Sequence, residues 1–383
     1  MWLLRVVFVL LQALIGFLAL RRPPHRLLWY VRIGITEWGY WLVPLVPAPF
    51  IPAWRRWWSG PVAWGGGVAA TPGAPPFMQA LRIAVALPSE LVRAFGPATP
   101  ASRTDAPARP KPLVFRDLLH GLPVPAIQQA QHTYWQNQSD RLNLDLYRPL
   151  LINSRLPLIV VIHGGAWESG DSRQLPDLNR YLAARGYAVA AINYRLAPAY
   201  HFPAPLEDLR AALAYLRANA TDLMLDTERV ALIGRSAGAQ IALQSAYTFN
   251  DAAIRAVVGF YGPTDLRFGY ENPAHPAVID SRGVIGRYLG GSPTELAATY
   301  TAASPLFAVG PQSPATLLIQ GSLDEMVYPI HSRRLAVRLA QQGRPYFLLE
   351  LPWGAHACDA NLCGPSGQLS LYAIEHLLAA RLG

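Results

Sequence analysis

A serine, an aspartate and a histidine stand far apart in this 383-residue chain, each in a setting that suits nucleophilic chemistry. Ser236 is the centre of Gly234-Arg235-Ser236-Ala237-Gly238, after the apolar run 230–234 and before an Ala-rich helical stretch. A Gly-x-Ser-x-Gly turn from strand to helix is tight and crowded, so small residues flank the hydroxyl that it lifts above the sheet. The turn also sets the serine at a helix N-terminus, where N–H groups and the helix dipole favour negative charge. An ordinary helix-capping serine is the structural alternative. A nucleophilic serine needs a base within hydrogen-bond reach and an acid to orient that base. Asp324 follows the run 315–320 in Gly321-Ser322-Leu323-Asp324, and His356 follows 346–351 in Pro352-Trp353-Gly354-Ala355-His356. The order serine, acid, histidine, each on a loop just past a strand, fits one nucleophilic site. Glu325 and Asp265 are rivals for the acid, Asp265 being placed to cap a helix. His331 is the rival base, at the start of a predicted helix.

A second constellation follows the run 158–163, in His163-Gly164-Gly165-Ala166-Trp167. Glycine lets a backbone approach a ligand closely and aim its N–H groups at an oxyanion. The N–H groups of Gly164, Gly165, Ala166 and Ala237 are therefore candidate oxyanion donors, and His163 is read as a brace for the loop. Arg235 could touch an anionic substrate group or pair with a surface carboxylate; the second is preferred, because most arginines are structural. Cys358 and Cys363 make two ligands without a second pair, which is not a zinc site; they are free thiols or a disulfide. No phosphate-binding or dinucleotide fingerprint follows a predicted strand. No metal or organic cofactor is expected.

These groups must be held by a scaffold, and its pattern is legible from about residue 130 onward. Apolar, β-branched runs at 142–148, 158–163, 187–193, 230–234, 255–261, 315–320 and 346–351 read as strands. Stretches of helical period at 174–185, 204–219, 237–249, 331–342 and 366–381 lie between most of them. Such alternation predicts an α/β fold with a mostly parallel sheet covered on both faces. Ligand chemistry in such sheets gathers at the carboxyl ends of the strands.

On these motifs, residues 113–383 resemble the α/β-hydrolase superfamily, in its hormone-sensitive-lipase-like and BD-FAE-like esterase branch. Asn193-Tyr194-Arg195-Leu196-Ala197-Pro198 and Phe202-Pro203-Ala204-Pro205-Leu206-Glu207-Asp208 are similar to that branch's YRLAP and FPA..ED stretches. His163-Gly164-Gly165 resembles its oxyanion motif, with Ala166-Trp167 departing from HGGG toward the HGGxW esterases. Arg235 stands where Asp or His is commoner. The resemblance implies an α/β-hydrolase fold and a serine carboxylester hydrolase, lipase-like, acting on a small-molecule ester through Ser236, His356, Asp324 and an acyl-enzyme; a membrane anchor would favour a lipophilic ester. A peptidase or an arylformamidase on the same fold are alternatives, as is a non-catalytic module that binds lipid or a partner. The last would show a broken triad or a blocked oxyanion loop, and the sequence shows neither.

The chain's net charge of +9 is unevenly placed. Residues 1–112 hold 12 basic against three acidic residues, and eight of the 11 Trp; residues 113–383 are neutral. A basic, Trp-rich segment on a neutral body points to a membrane surface rather than to nucleic acid. Residues 6–20 are nearly all apolar and, with Trp2 to Leu4, approach the ~20 residues of a bilayer span. The exit Leu20-Arg21-Arg22-Pro23 lacks the small residues of a cleavage site, so a retained anchor is expected rather than a signal peptide. Residues 27–52 read as a second span or an interfacial segment, and 77–95 as an amphipathic helix on the body or on lipid. The expected organisation is a membrane-associated region 1–95, a Pro/Ala-rich linker 96–112 and a catalytic domain 113–383. Arg21, Arg22 and Arg26 against Arg55 and Arg56 leave open which side the body faces.

Overall fold

The computed structural model describes residues 26–38, 74–98 and 109–383. The eight strands are β1 (Ile127–Gln136), β2 (Arg141–Pro149), β3 (Leu156–Ile162), β4 (Ala188–Ile192), β5 (Leu225–Arg235), β6 (Ile254–Phe260), β7 (Ala315–Gly321) and β8 (Tyr346–Leu351). They form one sheet in the order β1-β2-β4-β3-β5-β6-β7-β8. β1 and β2 are antiparallel to their neighbours, and β3 to β8 run parallel. Every residue of β3, β4 and β7 is buried, because helices cover both faces. Leu158, Val160 and Ile162 enter one core layer while Ile159 and Val161 enter the other, which is the period-two alternation of a strand buried on both sides.

The described helices are α1 (Arg26–Trp38), α2 (Ala74–Phe95), α3 (Phe115–His120), α4 (Asp177–Ala183), α5 (Ala204–Ala218), α6 (Ala237–Thr248), α7 (Leu266–Glu271), α8 (Ser281–Leu289), α9 (Ala297–Ala302), α10 (Pro305–Ala308), α11 (Ile330–Gln341) and α12 (Pro365–Leu382). α5, α6 and α11 bury Leu209, Ile241 and Leu335 in the first layer. α4 and α12 bury Leu182 and Leu377 in the second, where α2 adds Ala80, Leu87, Leu91 and Phe95. The amphipathic stretch 77–95 thus lays its apolar face on the body, leaving Met78, Val85 and Val92 exposed. Arg109, near the end of the Pro-rich stretch, is also anchored: it pairs with Asp117 at 3.0 Å and bonds Gln368 at 2.7 Å.

The predicted strands are present, with β1 in addition. Its sequence, IQQAQHTYWQ, buries only Tyr134. It is an edge strand held by its ladder to β2, so it carries no apolar signature. The strand order reverses between β3 and β5, since β3 leads out to β4 on one side and β5 returns on the other. That crevice is where such sheets bind ligands.

No helix among the described residues is long and apolar enough to cross a membrane. The apolar run 6–20 lies outside the described residues. Of the stretch 27–52, the part up to Trp38 belongs to α1, a helix lying against the loops after β7 and β8, with Arg32 and Glu37 each 1% exposed.

Candidate active site

The nucleophile turn is built by steric necessity. Ser236 has φ +52° at the junction of β5 and α6, a left-handed conformation that costs a non-glycine residue roughly 1–3 kcal/mol. The junction persists because its surroundings admit nothing else. A Cβ on Gly234 would lie 2.1 Å from the Gly238 carbonyl oxygen, and one on Gly238 would lie 2.3 Å from the carbonyl oxygens of Ile162 and His163. β5, α6 and the end of β3 are thereby pressed together, with Ser236 above them. The Ser236 N–H is fixed to the Phe260 carbonyl at 2.9 Å.

The three sequence candidates come together. His356 Nε2 lies 3.0 Å from Ser236 Oγ, and His356 Nδ1 lies 2.8 Å from Asp324 Oδ2. Asp324 is 3% exposed and accepts N–H bonds from Met326 at 2.9 Å and Val327 at 3.0 Å on its other oxygen. Gln320 adds a side-chain N–H at 3.1 Å and is itself held by Ser332 Oγ at 2.9 Å. These donors fix the plane of the carboxylate. The rivals are engaged elsewhere. Asp265 caps α7 by accepting from the Phe268 N–H at 3.0 Å and pairs with Arg334 at 2.8 Å. Glu325 forms a buried ion pair with Arg32. His331 accepts from the N–H groups of Thr264 and Asp265, and burial pushes its pKa down to about 4.

The glycine-rich loop faces Ser236 across the crevice. Gly165 has φ +118°, and a Cβ there would meet the Ser169 carbonyl oxygen at 1.9 Å. Ala166 and Trp167 are also left-handed, at +56° and +59°. The turn is pinned by Trp167, which stacks on Tyr288 at 4.4 Å and donates to Gln240 at 3.0 Å. His163 braces the loop: its ring stacks on Tyr194 at 4.3 Å, and Nδ1 lies 2.7 Å from the Gly164 carbonyl. Burial keeps it neutral by lowering its pKa. Of the four candidate oxyanion donors, one is removed. The Gly164 N–H is already given to Gln174 Oε1 at 2.8 Å, so it cannot serve a substrate. Gly165, Ala166 and Ala237 line the cavity with Ser236; Ala237 opens α6, where first-turn N–H groups have no helical acceptor.

Arg235 does pair with a carboxylate, but a buried one. Its Nε lies 2.5 Å from Asp359 Oδ2, with the two side chains 2% and 0% exposed. The other Asp359 oxygen accepts from Tyr261 Oη at 2.5 Å, and the Tyr261 ring packs 4.5 Å from that of His356. This clasp joins the nucleophile turn to the histidine loop. No motif announces it, although an acid three residues past His356 and a basic residue beside Ser236 are its trace. Cys358 and Cys363 are free thiols, Cys358 buried. Among the described residues no cluster of His, Cys, Asp or Glu could hold a metal.

The BD-FAE family model matches residues 144–339, just over half the chain. The chain belongs to the BD-FAE family. This family segment contains the glycine-rich loop, Ser236 and Asp324, while His356 lies beyond its end. Among curated proteins, the probable carboxylic ester hydrolase LipM of Mycobacterium tuberculosis is 29% identical over 253 residues, 62% of this chain and 58% of LipM. Esterase LipC of the same organism is 31% identical over 224 residues, 53% of each chain. The chain thus spans little more than half the length of these relatives. A bacterial heroin esterase superposes with a TM-score of 0.59 at 22% identity, over 70% of this chain and 88% of its own. That likeness shows the shared α/β-hydrolase fold.

Proposed function

We propose that this BD-FAE family member is a serine carboxylester hydrolase. The observation that carries the reading is the continuous chain from Ser236 Oγ through His356 to Asp324, at 3.0 and 2.8 Å. His356 Nε2 takes the Ser236 proton as Oγ attacks the acyl carbonyl carbon. Asp324 orients the ring and stabilises its charged form. The carbonyl oxygen becomes an oxyanion facing the N–H groups of Gly165, Ala166 and Ala237. His356 then protonates the leaving alcohol, and an acyl-Ser236 ester remains. Water, deprotonated by the same imidazole, attacks that ester; the bond to Ser236 Oγ breaks, the carboxylic acid leaves, and His356 returns the proton to Oγ. The similarity to LipM, a probable carboxylic ester hydrolase, and to the esterase LipC supports ester hydrolysis.

The protein is further proposed to work at a membrane, held by the Trp- and Arg-rich region 1–95, with membrane lipid as partner. The uneven charge and the apolar run 6–20 support this. The chemical reading is tested with a fluorophosphonate probe together with matched ester, amide and formamide substrates. Labelling at Ser236 and preference for the ester are expected. Faster turnover of the amide or formamide would replace the reading with a peptidase or a formamidase; no labelling of folded protein would leave a binding module.

A further inference from the structure

The catalytic cavity has a wall that the hydrolase motifs do not account for. Trp29 and Tyr30 of α1 line it together with Ser236 and His356. α1 rests on both catalytic loops. Arg32 forms its buried ion pair with Glu325, the neighbour of Asp324. The Glu37 carbonyl accepts from Asn361 Nδ2 at 2.9 Å, and its carboxylate accepts from Ser366 Oγ at 3.2 Å. Trp29 and Ile33 pack with Ala355 and Ala357, which flank His356, and with Met326 beyond Asp324. Trp29 is 6% exposed and Tyr30 53% exposed, so α1 offers one aromatic ring inside the cavity and one at its mouth.

The cavity holds about 440 Å³, within the roughly 300–1,000 Å³ of sites for organic ligands. Against Trp29 the lining is apolar: Ile279 and Met326 both line the cavity and pack with Trp29.

We propose that α1 is a specificity element. Trp29 and Tyr30 select esters whose acyl or alkyl part is a hydrocarbon chain long enough to reach them from Ser236. The inference rests on the serine-hydrolase reading above and names its substrate class as lipophilic esters. Leu27 and Val31 on the same helix are also exposed, further apolar surface consistent with an ester delivered from lipid.

The test uses the full chain with p-nitrophenyl acyl esters and with alkyl acetates, each from two to twelve carbons. The wild-type kcat/KM should rise with chain length in at least one series. Trp29→Ala should lower the ratio of octyl to acetyl turnover roughly tenfold, the effect of mismatched apolar contact in a pocket. Tyr30→Ala, at an exposed position, and Trp29→Phe should lower it less; these carry the test if Trp29→Ala does not fold. Parallel profiles for wild type and all three variants would overturn the proposal, as would a wild type that prefers the shortest chain in both series. Wild-type protein that takes the fluorophosphonate label while showing such profiles loses only this inference. Wild type that neither labels nor hydrolyses any ester loses the hydrolase reading as well.

Discussion

Replacing Arg235 with methionine would strand a carboxylate in the core. Asp359 has no side-chain exposure and two partners, Arg235 and Tyr261, each at 2.5 Å. Removing one member of a buried ion pair costs about 3–5 kcal/mol, because the remaining charge is desolvated and uncompensated. At about 2–4 °C per kcal/mol for a domain of this size, the melting midpoint should fall by roughly 6–20 °C. The double replacement Arg235→Met with Asp359→Leu removes both charges and should recover most of that loss. It leaves the Tyr261 hydroxyl without its acceptor, a residual cost of about 1–3 kcal/mol. Turnover should stay reduced in the double variant, since the Tyr261 ring packs against His356 and its hydroxyl is no longer anchored. Thermal and urea unfolding of the wild type, both single variants and the double variant form a cycle. A coupling energy near zero, or an Arg235→Met midpoint within 2 °C of wild type (less than ~1 kcal/mol), would refute the buried clasp.

Three further outcomes are expected. His331 is held neutral by burial at a pKa of about 4 in the folded chain, against ~6.5 unfolded. As pH falls, the unfolded chain takes up this proton first, so the neutral ring's contribution is complete above about pH 6.5 and lost between about 6.5 and 4, at most about 3 kcal/mol. Urea unfolding across that window should show a shallower loss in His331→Gln; an identical slope would remove His331 as its source. Asp324→Asn should keep the fold and lower kcat by roughly 10⁴, through loss of the correct imidazole tautomer; a loss under tenfold would contradict its orienting role. Gly238→Ala should abolish soluble, active protein, because its Cβ would sit 2.3 Å from two carbonyl oxygens; normal melting and activity would show that the turn has slack.

What the chain discloses before folding divides along physical lines. β3, β4, β7 and the second half of β5, from Val230, are buried on both faces, so their side chains spell out largely apolar runs. β1 is legible only through its backbone ladder, and the polar string Gln128-Gln129-Ala130-Gln131 conceals it. The short helices α7 to α10 have little intrinsic signal and take their form from packing over the carboxyl end of the sheet. Ser236 and the glycine-rich loop are readable because steric demands restrict their neighbours to small residues. Their supports are not. Gln174 takes the Gly164 N–H and Gln320 holds Asp324 from nearby in the chain, but neither glutamine belongs to a motif, while Asp359 holds Arg235 from 124 residues away. A glutamine at the end of the otherwise apolar ATLLIQ run was the visible hint for Gln320. The charge and Trp content of residues 1–112 point to a membrane, yet α1 within them packs on the catalytic loops through Arg32 and Glu37. Composition records what kind of surface a segment can meet, and leaves open that part of it meets the chain's own active site.

The central claim is that Ser236 is the nucleophile of an ester hydrolase. The most direct measurement is hydrolysis of a p-nitrophenyl ester by the folded Ser236→Ala protein beside wild type, with matched melting midpoints. Loss of at least about 10³ in kcat is predicted, leaving only what binding and the oxyanion donors supply. Turnover by the alanine variant equal to wild type would contradict the account.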